Sequence, residues 1–131
     1  MTIVRAALDE VIAHARAAAP DECCGLLLGA GDSIEAAHRA GNLEPSPSRF
    51  LLDPRDHFAA IHAARARGLE VLGIYHSHPG APATPSTRDL AEAAYPEYAY
   101  LIVSLRGEAP DCRLYRLLDG NFQERPLVSL P

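Results

Sequence analysis

The chain has little cysteine and no long hydrophobic run. Its 131 residues include three cysteines, two of them adjacent, and no Cys-x-x-Cys spacing. An odd number of cysteines is poor material for the disulfide framework of a small secreted domain. No apolar stretch reaches the length of a signal-peptide core or of a membrane-spanning helix. These absences argue against a secreted or membrane-bound protein, and we expect a soluble, cytoplasmic one.

The chain also lacks an excess of basic residues. Its formal net charge is −5 at pH 7, and only 22% of its residues are charged. General nucleic-acid binding needs a basic surface, so this balance argues against a nucleic-acid partner. By contrast, 48% of the residues are hydrophobic, which is enough to build a core. Because no repeat, low-complexity segment or linker divides the chain, we predict a single domain over residues 1–131.

Hydrophobic periodicity predicts an α+β domain with a mixed, curved β-sheet flanked by helices. Helices are predicted over residues 3–19, 54–67 and 86–94. Strands are predicted over residues 22–30, 33–39, 49–52, 69–78, 98–105, 112–118 and 122–128. Asp53 and Pro54 fit the N-cap and first position of the second helix, whose Phe58 and Ile61 should face inward. Asp119-Gly120 predicts a hairpin between the last two strands.

Two histidines at strand spacing are the main candidates for chemistry. His76 and His78 lie at the end of a buried strand, which Pro79 should terminate. Side chains at i and i+2 of a strand point to the same face, so both imidazoles can reach one metal ion. Asp89 can return from the next helix as a third ligand. Two histidines and one carboxylate leave a fourth tetrahedral position open, which is typical of catalytic zinc.

Simpler interpretations exist for each part of this cluster. A His-x-His pair is common on surfaces and in cores. Ser86-x-x-Asp89 also fits a helix capping box, with Ser86 as N-cap. Alternatively, Thr84 and Pro85 could be N-cap and N1 of the same helix. Either cap explains Ser86 and Asp89 without a metal, but neither explains the two histidines, so the whole cluster favours a metal site.

These residues resemble the motif of the JAMM (MPN+) zinc metalloprotease family. His76-Ser77-His78-Pro79, followed after six residues by Ser86-x-x-Asp89, matches its most specific part, and Glu22 matches its upstream glutamate. The resemblance covers roughly residues 1 to 120 and implies the cytidine-deaminase-like JAMM/MPN fold, with the site where the Glu22 and His76 strands are neighbours. It implies one zinc ion held by His76, His78 and Asp89, with Glu22 as general base and Ser86 as donor to the oxyanion.

The same resemblance implies a function. Family members hydrolyse a peptide or isopeptide bond at the C-terminus of a ubiquitin-like or sulfur-carrier protein that ends in Gly-Gly. The short loops at 41–48 and 80–85 resemble the minimal prokaryotic members, so we expect such a carrier as partner, for example with release of cysteine from it. The alternatives are a non-catalytic MPN scaffold and a RadC-like DNA-processing protein. The intact motif argues against the first, and the acidic balance argues against the second.

Overall fold

Three helices and eight strands make up the computed structural model, which describes residues 1–131. The helices are α1 (Arg5–Ala18), α2 (Pro54–Ala66) and α3 (Thr87–Glu92). The strands are β1 (Thr2–Ile3), β2 (Cys24–Ala30), β3 (Ser33–Ala40), β4 (Glu70–His78), β5 (Ala99–Ser104), β6 (Asp111–Leu118), β7 (Asn121–Arg125) and β8 (Val128–Ser129). None of the helices is long and apolar enough to cross a lipid bilayer.

The strands form one mixed sheet in the order β7-β6-β5-β4-β2-β3-β1-β8. β4 pairs with β5 in parallel, as β1 does with β3 and β8, while the remaining pairs are antiparallel. β7 and β8 stand at opposite ends of this order, yet only residues 126–127 separate them in the chain. The end of β7 and the start of β8 are three Cα–Cα steps apart, which span at most about 11 Å, so the sheet must curve strongly to bring its two edges together. The predicted curved, mixed sheet is therefore present.

A hydrophobic core lies on each face of the sheet. The core on the α1 side includes Val11 and Ala15 of the helix and Leu27, Tyr75 and Leu101 of the sheet. The core on the α2 side includes Ala60, Ala64, Leu26, Ile74 and Ile102. β2, β4 and β5 are therefore covered on both faces, which explains why β2, β5 and residues 71–75 of β4 are continuously apolar instead of alternating.

Several local predictions are confirmed. Asp53 caps α2 by accepting a hydrogen bond of 2.9 Å from the backbone N–H of Arg55, and Pro54 follows at N1. β4 ends immediately before Pro79. Asp119 and Gly120 have φ angles of 50° and 76°, the positive values that a two-residue hairpin of type I′ requires.

Two local predictions are wrong. Residues 49–52 form no strand; they make only an isolated bridge between Asn42 and Leu52. The side chain of Asn42 forms hydrogen bonds with the backbone of this segment in place of a neighbouring strand. Its Oδ1 accepts from Leu51 N at 2.9 Å, and its Nδ2 donates to Arg49 O at 3.3 Å. Phe58 does not face inward but is 63% exposed. The small residues Ala60 and Ala64 occupy the buried side of α2 and let the helix lie close to the sheet.

Candidate metal centre and adjoining cavity

Three potential metal ligands converge at the C-terminal end of β4. Strand alternation puts His76 and His78 on the α2 side of the sheet, and their Nε2 atoms are 3.1 Å apart. The loop 79–85 then leads back to α3, which supplies Asp89. Its Oδ2 lies 3.3 Å from Nε2 of His76 and 3.1 Å from Nε2 of His78. The structure thus brings together the three residues that were predicted from the sequence as metal ligands.

The spacing of these three atoms fits a tetrahedral metal ion. Ligand atoms at zinc–ligand distances of 2.0–2.1 Å would be separated by about 3.3 Å along each edge of a tetrahedron. The three observed separations, 3.1, 3.1 and 3.3 Å, are close to that value. Nδ1 of His78 lies 2.7 Å from the carbonyl oxygen of Pro82. When Nδ1 donates to that oxygen, Nε2 keeps its lone pair for the cluster, which is the usual arrangement of a metal-binding imidazole.

The electrostatics of the cluster also favour a bound cation. Burial would raise the pKa of Asp89, but hydrogen bonds with His76 and His78 outweigh it and hold that pKa well below its usual range. Burial lowers the pKa of His76. The site therefore presents the carboxylate of Asp89 beside the neutral imidazole of His76, and both can donate an electron pair to a metal. Burial would also lower the pKa of His78, but hydrogen bonds with Asp89 and with the carbonyl group of Pro82 outweigh it and raise that pKa, so a metal bound by His78 would displace a proton.

Glu22 occupies an enclosed position two residues before β2. β2 and β4 are antiparallel neighbours, and Cys24 pairs with His76 in their register. Glu22 is only 4% exposed, and its Oε1 atom is buried without a hydrogen-bond partner. Burial raises the pKa of Glu22 to about 7, although the charge of His78 opposes the shift. A carboxyl group with a pKa near neutrality is suited to accept and return a proton.

Ser86 is the N-cap of α3. Its Oγ accepts a hydrogen bond from Asp89 N at 3.0 Å, and Oδ2 of Asp89 accepts one from Ser86 N at 2.9 Å. This reciprocal capping box confirms Ser86 as N-cap and makes the alternative, with Thr84 as N-cap, wrong. The same Asp89 oxygen therefore both caps the helix and faces the two histidines. The hydroxyl hydrogen of Ser86 remains available as a donor.

A cavity of about 470 Å3 adjoins this cluster, between the loop 41–53 and α3. His76 and Asp89 form part of its wall, and Phe50 stacks on the imidazole of His76 at a centroid distance of 4.6 Å. Arg49 joins the two sides, with Glu44 at 3.1 Å and Glu92 at 3.8 Å. The remaining wall is mostly apolar and includes Leu52, Pro54, Ile74, Ala93, Tyr95, Tyr100, Ile102 and Phe122.

Phe50 and Arg49 were not identified from the sequence. Both lie in the segment that the sequence predicted as a strand, so neither stood out as part of a site. The signal that could have found them is weak: an arginine and an aromatic residue directly after the Pro-rich loop. Their contacts depend on how that loop packs against α3, which local sequence does not determine.

Comparison with known proteins identifies related sequences. The profile of a family described as prokaryotic homologs of the JAB domain matches residues 4–118. A desampylase of Haloferax volcanii is 35% identical over 114 residues, covering 82% of this chain and 82% of that protein. A CysO-cysteine peptidase of Mycobacterium tuberculosis is 35% identical over 129 residues, covering 95% and 88%. A probable TtuB-protein conjugate cleaving protease of Thermus thermophilus is 38% identical over 129 residues, covering 98% and 82%.

Solved structures share the architecture. The solution structure of a protein from Desulfitobacterium hafniense matches with a TM-score of 0.89 at 35% identity, covering 99% of this chain and 93% of that one. A JAB1/MPN domain protein from Archaeoglobus fulgidus matches with a TM-score of 0.66 at 24% identity, covering 100% and 97%. The second likeness concerns the fold alone, and it confirms the predicted fold class.

Proposed function

The chain belongs to the prokaryotic homologs of the JAB domain, and from this premise we propose that it is a zinc metallopeptidase. Its substrate is a peptide or isopeptide bond at the C-terminus of a ubiquitin-like or sulfur-carrier protein. The observation that carries the proposal is the cluster of His76, His78 and Asp89, whose ligand atoms are spaced as zinc requires. The names of the three relatives, all similar over most of their length, support the substrate class.

In the proposed reaction, three side chains would bind the metal, one would transfer a proton and one would stabilise the developing oxyanion. His76, His78 and Asp89 would bind the zinc ion. When bound, zinc supplies a Lewis acid that polarises the scissile carbonyl and lets water lose a proton near neutral pH. The Glu22 carboxylate would take that proton as the water oxygen bonds to the carbonyl carbon, and would return it to the amine nitrogen as the C–N bond breaks. Ser86 donates its hydroxyl hydrogen to the carbonyl oxygen as negative charge develops there.

The enclosure of the cluster supports a carrier tail ending in Gly-Gly. Glu22, His76 and His78 are buried, and Asp89 is largely covered. A scissile carbonyl must therefore be presented by a narrow, extended segment. Glycine lacks a Cβ and lets a backbone approach a surface closely. The apolar cavity beside His76 is large enough to hold further residues of such a tail or of the group that is released.

We also propose that residues 1–131 act as a single domain and that the protein is cytoplasmic. Strands from both ends of the chain, β1 and β8, pair within the same sheet, which supports one folded unit. Cys23, Cys24 and Cys112 form no disulfide. Free cysteines are in keeping with a reducing compartment.

Metal content and cleavage test the proposal together. Elemental analysis should find about one zinc ion per chain, and the double variant His76→Ala, His78→Ala should lose it. A ubiquitin-like carrier ending in Gly-Gly, with either a C-terminal cysteine or an isopeptide-linked lysine, should be cleaved by the zinc-loaded protein. A zinc chelator should stop both reactions. A zinc-loaded protein that cleaves neither bond would contradict the proposal, and a chain that retains no zinc would indicate a non-catalytic scaffold.

A further inference from the structure

The loop 79–85 lacks the backbone bonding that usually holds a chain in place. It connects β4, which carries the two histidines, to α3, which carries Asp89. Three of its seven residues are prolines, which have no backbone N–H to donate. None of the backbone–backbone hydrogen bonds in the structure involves residues 79–85. The position of Asp89 relative to the histidines must therefore depend on other contacts.

Three side chains hold three consecutive carbonyl groups of this loop. Ser104 Oγ donates to the carbonyl oxygen of Ala81 at 2.6 Å. His78 Nδ1 lies 2.7 Å from the next carbonyl oxygen, that of Pro82. Tyr115 OH donates to the following one, that of Ala83, at 2.6 Å. These groups come from the adjacent strands β4, β5 and β6, so the sheet provides a row of donors along the loop.

The two hydroxyl donors are buried and fixed in position. Ser104 is 3% exposed and lies opposite His78 in the β4–β5 register. Tyr115 is 5% exposed, and its ring packs edge-on against Phe122 at 6.2 Å. Its partner residue Ala83 is itself buried in the core on the α2 side. A buried carbonyl that loses its donor cannot readily find water, so each bond constrains where the loop can lie.

We propose that Ser104 and Tyr115 are positioning residues of the metal centre. They hold the loop 79–85 against the sheet so that Asp89 Oδ2 meets the two histidine nitrogens at the separations a metal requires. Neither residue touches the metal ligands' coordinating atoms; each acts through the loop backbone. This inference rests on the proposed metal site, but it concerns residues outside the family motif that the sequence identified.

The test compares zinc affinity in variants that remove one hydroxyl each. Ser104→Ala and Tyr115→Phe should each weaken the Kd for zinc by about tenfold, measured by competition with a chromogenic chelator, since outer contacts of metal ligands typically contribute at this level. The double variant should be weaker still. With Co2+ in place of zinc, the visible absorption bands, which report ligand geometry, should shift in both variants.

Tyr98→Phe is the matched control. It also removes one tyrosine hydroxyl that is hydrogen-bonded to a side chain, at 2.9 Å from Nε2 of His57, but it has no bond to the loop. Its zinc Kd and Co2+ spectrum should equal those of the wild type. If Ser104→Ala and Tyr115→Phe also match the wild type, the positioning role is wrong while the metal site stands. If the wild type itself binds neither ion, the proposed function fails with it.

Discussion

Glu22 and Asp21 are neighbours in the chain, but their carboxyl groups lie in different environments. Glu22 is buried with an unpaired oxygen, whereas Asp21 is only partly buried. An unpaired buried carboxylate lowers stability, so its presence beside a cluster of metal ligands is better explained by chemistry than by folding. This difference supports Glu22, and not Asp21, as the general base.

Glu22→Gln should abolish hydrolysis while the protein keeps its metal and its fold. The amide has nearly the same shape but cannot accept the proton from water. Turnover should fall by roughly 10²-fold or more, the contribution of a positioned acid–base group. Steady-state cleavage of the carrier substrate and zinc content, measured on the same preparation, test this. Asp21→Asn is the control and should remain active; the opposite result would show that the base has been misassigned.

Ser86 has two roles that substitution can separate. Ser86→Ala should lower stability by about 1 kcal/mol through the lost N-cap and should also lower turnover by about 10²–10³-fold through the lost oxyanion donor. Ser86→Gly should lose only a few tenths of a kcal/mol, because glycine is tolerated at N-caps, yet it too lacks the hydroxyl. Melting temperature and turnover of both variants decide: a fully active Ser86→Gly enzyme would leave Ser86 as a cap only.

For single residues, prediction from the sequence succeeded where the spacing along the chain determines the arrangement of the side chains. His76 and His78 share a strand face, and Ser86 and Asp89 have capping-box spacing, so their arrangement could be anticipated from their separation along the chain. Ser104 and Tyr115 could not, because their hydrogen bonds join segments more than twenty residues apart. Contacts of that kind depend on strand order, which no local pattern encodes.

Among the elements, β4 fits its neighbour β5 very closely at Gly73. A Cβ at this position would lie 2.1 Å from the backbone carbonyl oxygen of Ala99, in the parallel pair that supports the two histidines. Gly73→Ala should therefore lower the free energy of unfolding by about 1–3 kcal/mol, the usual effect of overpacking a core. Urea denaturation measures this. Gly80→Ala, where nothing lies within 4 Å, is the control and should change stability little; equal effects would contradict the close-approach argument.

Element prediction worked where burial and local pattern agree. β2 and residues 71–75 of β4 are continuously apolar and largely buried, and both strands were predicted from these runs. The pattern was misleading in α2, where Phe58 is the largest apolar residue but points to solvent and packs on His62 at 4.6 Å. Because α2 packs closely on the sheet, its buried face holds the small residues Ala60 and Ala64. Hydrophobic periodicity takes no account of side-chain size, so it predicted the wrong face for Phe58.

For the molecule as a whole, the stability of the metal-free protein should depend on pH through Glu22. Its pKa is about 7 in the folded protein against an ordinary value of 4.5. The folded state thus holds this proton more tightly than the unfolded chain, so the stabilisation is complete below about pH 4.5 and is lost as the pH rises through about 7. The Glu22→Gln variant has no ionisable group at this position, so its stability should not fall in this way as the pH rises.

Urea unfolding of both chelator-treated proteins, at about pH 5 and about pH 8, measures the effect. The variant should gain stability relative to the wild type at the higher pH. His14 and His57, whose pKa values are lowered mainly by burial, are present in both proteins and cancel in the comparison. A difference that does not change with pH would show that Glu22 is not buried as an unpaired acid.

The central position of β4 and the missing backbone bonds of residues 79–85 have a consequence for hydrogen exchange. β4 is paired on both sides, so amide hydrogens at 76–78 should exchange with deuterium only when the whole sheet opens. A few residues later, amides at Gly80, Ala81 and Thr84 have no backbone acceptor and should exchange at nearly the rate of a free peptide. Metal binding would link the slowly exchanging end of β4 to Asp89, which lies just beyond this fast-exchanging loop. Adding zinc should therefore slow exchange across 86–89. It should slow exchange at 76–78 as well, because a metal that binds only the folded protein raises the free energy of opening the sheet. Mass spectrometry of peptic fragments can measure both effects.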